Sequence, residues 1–335
     1  MQKDFHFYCV GILCKAAGFK NKDALTIAYA SQYVDDSTES EPINLGPHIF
    51  DPVRTAHIGL QAYEWSVQKR VFIPFHFIPA KPIHSENGSY LTQPNSEFAQ
   101  AVLNEAINEK DKKFRLYRIG VALHTFADSW AHQGFSGRGN KENDVESIHL
   151  FGRNKWKRLL WENIFLDFLP QIGHAEAGYF PDQSYQCWKY KNGTTNEFVE
   201  RYNSEVFLNA AKTIYMKLQE VDKPESDAAI SWDDISDDIA NLLKHKQKDI
   251  NKRCKKWQKQ FKTIFAPYKF EYDRLTWRDQ ALESKGDAKI EWDDFDPTKF
   301  RNIEFKMKPG FYESSWVYFH KAAQRQRHYV LENLL

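Results

Sequence analysis

The chain has 335 residues, 42% apolar and 15% aromatic, enough to fill one large core or two ordinary ones. Lys and Arg total 46 against 45 Asp and Glu, so no global field points to a polyanion and no stable nucleic-acid complex is expected. The cysteines Cys9, Cys14, Cys187 and Cys254 form no CxxC pair, which leaves no zinc ribbon, dithiol redox motif or disulfide framework to read.

Apolar spacing predicts helices over 4–17 and 22–34, with Gly18 as the stop between them and Asn21 as the cap of the second. No stretch approaches the ~18 apolar residues of a membrane span. The N-terminal apolar run is short, contains His6 and leads straight into another patterned segment. It reads as the first helix of the fold rather than a signal peptide, and the protein is expected to be cytoplasmic unless a dedicated machine exports it. Between 40 and 95, Pro42, Pro47, Pro52, Pro74, Pro79, Pro82 and Pro94 limit regular structure to loops around one short helix near 53–69. VFIPFHFI (71–78) is the best strand candidate, weakened by its proline.

Helices resume at about 97–109, 112–134 and 153–169, the last stopped by Pro170. Residues 171–193 read as irregular. Further helices are expected over 196–221 and over 232–265, the latter capped by Ser231. Residues 267–312 are mixed, and 314–333 form a closing helix. The expected fold class is therefore all-α: a multi-helix bundle with long irregular loops. A core of residues 1–190 carries a helical C-terminal region, 191–335, packed on it.

The phrase GVALHTFADSWAHQGF (120–135) places His124, Asp128 and His132 at four-residue steps. On a helix these form one slowly drifting stripe, about 12 Å long. Its neighbours are apolar or small, so the stripe is buried, and a buried carboxylate or imidazole needs a partner. A divalent metal satisfies all three, since imidazole nitrogen and carboxylate oxygen are both zinc ligands. The stripe is too long for one ion, which favours a small cluster with Asp128 bridging. The alternative is a polar seam of hydrogen bonds. Nine of the twelve histidines lie in the first 174 residues, and several accompany carboxylates in apolar settings: His6, Asp35 and Asp36, His57, His76, and His174 with Glu176 and Asp182.

This pattern resembles the zinc-dependent phospholipases C of bacteria and the related single-strand-specific fungal nucleases. Those are all-helical proteins whose central helix carries His and, four residues later, Asp. The resemblance covers about residues 4–185 and implies a cluster of two to three zinc ions. In it His124 and Asp128 hold a closely spaced pair, with Asp128 bridging. Asp36 or its neighbour Asp35 binds an ion and acts as base. His6 is the ligand of the ion on the other oxygen of Asp128. His132, with His174 and Asp182 or Glu176, holds a third ion. The intermediate histidine is His76, His57 or His48, in that order of fit. Secreted members also use a processed N-terminal amine, for which no processing site is visible here.

The activity implied is zinc-dependent hydrolysis of a phosphodiester, such as a phospholipid, with Asp36 and Asp128 as the catalytic carboxylates. A nuclease with the same metal site and a non-catalytic helical protein with structural metal are the competing readings. Loop aromatics such as Phe75, Phe77, Trp130, Tyr179 and Phe180 are candidates for a substrate pocket. The basic run 244–262 suits a phosphate-bearing substrate or an anionic membrane surface, unless the acidic stretch 222–238 pairs with it.

Overall fold

The computed structural model describes residues 1–334 apart from 40, 57–59, 84–87, 153–154, 159–170, 224 and 286–303. Helices dominate, but the all-α expectation is overturned. Three antiparallel sheets are present among the described residues, of two, four and two strands, so the fold is mixed α and β.

The chain begins with a π-helical stretch, Asp4–Cys9, that runs on into α1 (Val10–Ala16). Gly18, at φ +94°, stops it in the left-handed backbone that glycine tolerates best. Helix α2 (Asn21–Asp36) follows. Asn21 is its first residue rather than its cap, and its side-chain amide donates instead to the carbonyls of Phe265 and Ala266. The segment expected as a strand at 71–78 is helical: α3 (Trp65–Val67), a π-helical Gln68–Phe72 and α4 (Ile73–Phe75). Pro74 lies near the end of this continuous helical run, two residues after its π-helical stretch, the kind of irregularity that accompanies a residue without an N–H.

Helix α5 (Glu97–Ile107), capped by Ser96, leads to α6 (Lys112–Ala131), capped by Asp111. From Tyr117 to Ala131 every residue of α6 is buried. It crosses α2 at Gly120, where a Cβ would lie 2.5 Å from both Ala30 Cβ and the Ile27 carbonyl oxygen.

Strands account for most of the departures from expectation. The four-stranded sheet runs β4 (Lys155–Arg158), β3 (Val145–Gly152), β5 (Cys187–Asn192), β6 (Phe198–Tyr202), all antiparallel. Lys155–Arg158 falls where a helix over 153–169 was expected; the rest of that helix, Pro170 included, lies mostly outside the described residues. The 196–221 helix begins only at Asn203, as α7 (Asn203–Gln219), because Phe198–Tyr202 is strand. The 232–265 helix is two helices, α8 (Trp232–Leu243), with Ser231 accepting the Asp234 N–H, and α9 (Ile250–Gln260). Two-stranded sheets join β1 (Ile43–Asn44) to β2 (Ile49–Phe50) and β7 (Leu282–Lys285) to β8 (Glu304–Met307). Helices α10 (Thr276–Ala281) and α11 (Ser315–Asn333) complete the fold.

One hydrophobic cluster draws on both halves of the sequence, joining Phe5, Ile27 and Leu123 to Phe207, Trp257 and Trp316. A second joins the inner face of the four-stranded sheet, Ile148, Trp188 and Tyr190, to Phe77, Phe135 and Phe180. Helix α11 ties the pieces together. Gln326 Nε2 donates to the Pro74 carbonyl at 2.9 Å and to Thr125 Oγ1 at 2.8 Å, and Thr125 donates to the Phe75 carbonyl at 2.8 Å. That chain of bonds fixes α4 against α6 beside His76 and His124. Among the described residues no helix is long and apolar enough to cross a membrane.

His320 on α11 makes acid a stress on the fold. Its Nδ1 accepts the Val53 N–H at 3.0 Å, its Nε2 has no hydrogen-bond partner, and its ring meets Trp316 edge-on at 4.6 Å. Burial pushes its pKa down to about 3. Below the ordinary value of 6.5 the unfolded chain binds a proton that the folded chain refuses, so stability falls as pH drops from about 6.5 toward 3. The expected slope is about 1.4 kcal/mol per pH unit. Melting curves of wild type and His320→Gln should therefore diverge in their pH dependence over that window. Parallel curves would refute the assignment.

Candidate metal centre

Asp128 sits at the middle of the site, fully buried on α6. Its two oxygens face different partners. Oδ1 lies 3.1 Å from His6 Nε2 and 2.5 Å from the α-amino nitrogen of Met1. Oδ2 lies 3.2 Å from both His76 Nδ1 and His124 Nε2. Asp35, at the end of α2, brings its Oδ1 to 3.5 Å from His124 Nε2 and 3.9 Å from His76 Nδ1. One turn along α6, His132 Nε2 is 3.0 Å from Asp182 Oδ1, and His174 Nε2 is 3.3 Å from Asp182 Oδ2. Three groups thus have ligand atoms within 4.8 Å of one another: His6, His124 and Asp128; Asp35, His76 and His124; and His132, His174 and Asp182.

The other ring nitrogens show what the site is built for. His124 Nδ1 donates to the Ser31 carbonyl at 2.8 Å, and His76 Nε2 to the Thr55 carbonyl at 2.9 Å. His132 Nδ1 donates to the His76 carbonyl, and His174 Nδ1 to the Gly178 carbonyl, each at 2.8 Å. A carbonyl only accepts, so each of these nitrogens carries a proton, and wherever the ring is neutral its other, bare nitrogen faces the carboxylates. His76 apart, lone pairs then face lone pairs at 3.0–3.3 Å around Asp128 and Asp182. A shared cation removes that repulsion, and the donor set of imidazoles and carboxylates suits zinc.

The electrostatics agree. Burial pushes His124 well below its ordinary pKa and His6 down to about 4, and lowers His174 as well, so these rings are neutral. Burial also pulls on His76, but Asp128 and Asp35 outweigh it and raise that ring. Burial favours protonated Asp128, yet neighbouring positive charge, the Met1 amine included, holds it well below the usual carboxylate range. Asp35 is held well above it by burial. The Met1 amine is buried, but Asp128 and Asp182 raise it to about 11.

Local structure supplies the aim. His6 lies on the π-helical turn, an uncommon helix form that recurs at functional sites. Two carboxylates end α2, with no basic residue in its last turn; the helix dipole disfavours anions there, and a cation beside Asp35 would offset this. The second cluster and sheet buttress the far group: Phe77 stacks on His132 at 4.5 Å. Gly173 keeps the backbone before His174 close to Phe77, since a Cβ there would lie 2.4 Å from Phe77 Cζ.

The groups open into a cleft of about 790 Å³ lined by Asp35, Asp36, His76, Asp128, His132, His174 and Asp182, and by Phe72, Tyr272 and Arg274. Asp36, expected as an alternative ligand and as the base, belongs to none of the three groups. Its Oδ2 instead accepts from Tyr272 Oη at 2.6 Å and Gln32 Nε2 at 3.1 Å. Glu176 points elsewhere and accepts the Val145 N–H at 2.7 Å. His48 is exposed beside Tyr312, and His57 lies outside the described residues. Of the aromatics expected at a pocket, Phe77 lines the cleft, Phe75, Trp130 and Phe180 are buried in the core, and Tyr179 is exposed. The N-terminal amine had been suggested only by the resemblance; Gln32, Tyr272 and Arg274 had no sequence signal: none repeats at a spacing, and the last two come from the half of the chain without a motif.

A helix-dominated α and β scaffold with a buried histidine–carboxylate cluster at the base of a cleft is the class these observations define. Residues 1–334 match the Family of unknown function (DUF6765), and the chain belongs to that family. Comparison with curated proteins and with solved structures found no match.

Proposed function

We propose that the protein is a metal-dependent phosphodiester hydrolase, phospholipase C-like in its site, holding two or three zinc ions in the three ligand groups. The observation that carries this is the set of imidazole rings, each fixed by a backbone carbonyl at one nitrogen with the other turned toward Asp128 or Asp182. When bound, zinc lowers the pKa of water and neutralises charge on a phosphoryl oxygen.

The chain's own residues do the rest. Asp128 places one oxygen toward His6 and the other toward His76 and His124, and so couples two groups. Asp182 positions His132 and His174. Asp36 is oriented by Tyr272 and Gln32 through Oδ2, while its Oδ1 has no hydrogen-bond partner among the described residues. That oxygen orients the attacking water and takes its proton. The buried floor keeps bulk water from the reacting centre.

The test is elemental analysis of protein purified without chelator, followed by assay on bis(4-nitrophenyl) phosphate, phosphatidylcholine and single-stranded DNA. Two or three zinc per chain with diester turnover is expected. Less than one metal per chain removes the proposal. Full metal without turnover on any of the three substrates makes the metal structural.

A further inference from the structure

Helix α9 carries two opposed stripes. Arg253, Cys254 and Trp257 are buried, while Lys252, Lys255, Lys256 and Lys259 are all exposed at i, i+3, i+4 and i+7. Lys248 and Lys262 extend the exposed stripe at its two ends. Lys252 and Lys256, and Lys255 and Lys259, are like-charged i, i+4 pairs, an arrangement that weakens a helix. An ordinary solvated face interleaves glutamates, and this one has none. Its one acid, Asp249, is occupied in capping, accepting the Asn251 and Lys252 N–H groups.

Among the described residues no ion pair reaches these lysines. The acidic stretch 222–238, the expected internal partner, does not engage them: its Asp227 pairs with Lys15 and Lys20, and its Asp234 with the Ser231 hydroxyl. The stripe is also anchored at the cleft. Ile250 lines the cleft, Asn251 accepts from Lys3, and Arg253 binds Asp4 and Gln2 on the segment bearing His6.

The composition selects the partner. The single arginine of the helix is buried and spent on Asp4, so no guanidinium fork is offered for discrete phosphates or bases. The aromatics of the stretch, Trp257 and Phe261, are buried, so there is no stacking platform for a nucleic-acid strand. A row of lysine point charges suits a fluid anionic surface. We propose that this lysine face docks the protein on an anionic lipid bilayer, with the cleft rim beside the surface. The docking stands on the stripe and its charge, independently of the hydrolase reading.

Sedimentation of the full chain with phosphatidylcholine vesicles, with and without one-third phosphatidylglycerol, tests it. Binding is expected only to the anionic vesicles, and release at about 1 M salt, where the screening length falls to about 3 Å. Replacing Lys252, Lys255, Lys256 and Lys259 together by Gln, which preserves helix propensity, should lower the partition coefficient by about 100-fold or more. The smaller variant Lys255→Glu with Lys259→Glu should act in the same direction, and both should melt like wild type. Equal binding to neutral vesicles, wild-type partitioning by folded variants, or capture of a single-stranded oligonucleotide in place of the vesicles would overturn the proposal.

Discussion

Asp128→Asn should strip metal from the groups around His6, His76 and His124 while the chain stays folded. The carboxylate serves both groups through separate oxygens, and an amide offers one weaker oxygen and no charge. An ion held by His132, His174 and Asp182 would have its own carboxylate and should remain. Metal content is therefore expected to fall to about one per chain. Turnover of a phosphodiester should drop about 10³-fold or more, which corresponds to the several kcal/mol that metal-assisted charge stabilisation supplies. Circular dichroism should be unchanged, because α6 is packed along its length by apolar neighbours that the substitution does not touch. A variant that keeps both its metal and its activity would dismantle the assignment of Asp128 as the shared ligand.

Gly120→Ala should lower stability sharply. The added carbon would meet Ala30 Cβ and the Ile27 carbonyl oxygen at 2.5 Å, and the Ser31 nitrogen at 3.2 Å. Two of these are backbone atoms inside α2, so no side-chain rotation relieves the clash and the helices must separate. Overpacking of this kind costs about 1–3 kcal/mol, sometimes more. The damage also reaches the site. Ser31 is the residue whose carbonyl orients His124, four residues along α6 from Gly120. Shifting α2 breaks that bond and moves Asp35 as well. Denaturant titration should show a lower midpoint, and metal affinity should fall with it. An unchanged midpoint would mean that the crossing is looser than its geometry shows.

Much of the site was legible because it rests on helical period. His124, Asp128 and His132 stand four apart on one helix, and a buried polar stripe asks for partners whatever the rest of the fold. His6, His76, His174 and Asp182 were conspicuous as polar residues inside apolar or aromatic stretches. Choosing between Asp35 and Asp36 was not possible from spacing, because adjacent residues at a helix end diverge by about 100°, and only the packing of α2 shows which one faces His124. The role of Tyr272 depends on a contact with Asp36 across 236 positions, for which no local signal exists.

The sheet was missed for a different reason. In Cys187–Asn192 only Trp188 and Tyr190 point inward, too few residues to separate alternation from chance. In Val145–Gly152 the register shifts between Glu146 and His149, and Ser147 has a positive φ of 50°, so the inward positions Val145 and Ile148 lose the period of two. Phe198–Tyr202 runs directly into Asn203–Gln219 with no glycine or proline at the junction, and a reader of propensities extends the helix backward across it. Pro74, which weakens a strand, sits instead near the end of the helical run 65–75, just after its π-helical stretch.

The wide turn at Asp4–Cys9 has one more implication. A π-helix is wound more loosely than an α-helix, and its aim depends on keeping that extra residue. Rewinding the same residues as an ordinary α-helix, with nothing deleted, would rotate everything before the turn by about 100°. His6 and the chain's first residue would swing away from Asp128 together, although no atom of either had been altered. The register of one loosely coiled turn thus decides whether the deepest imidazole reaches its carboxylate.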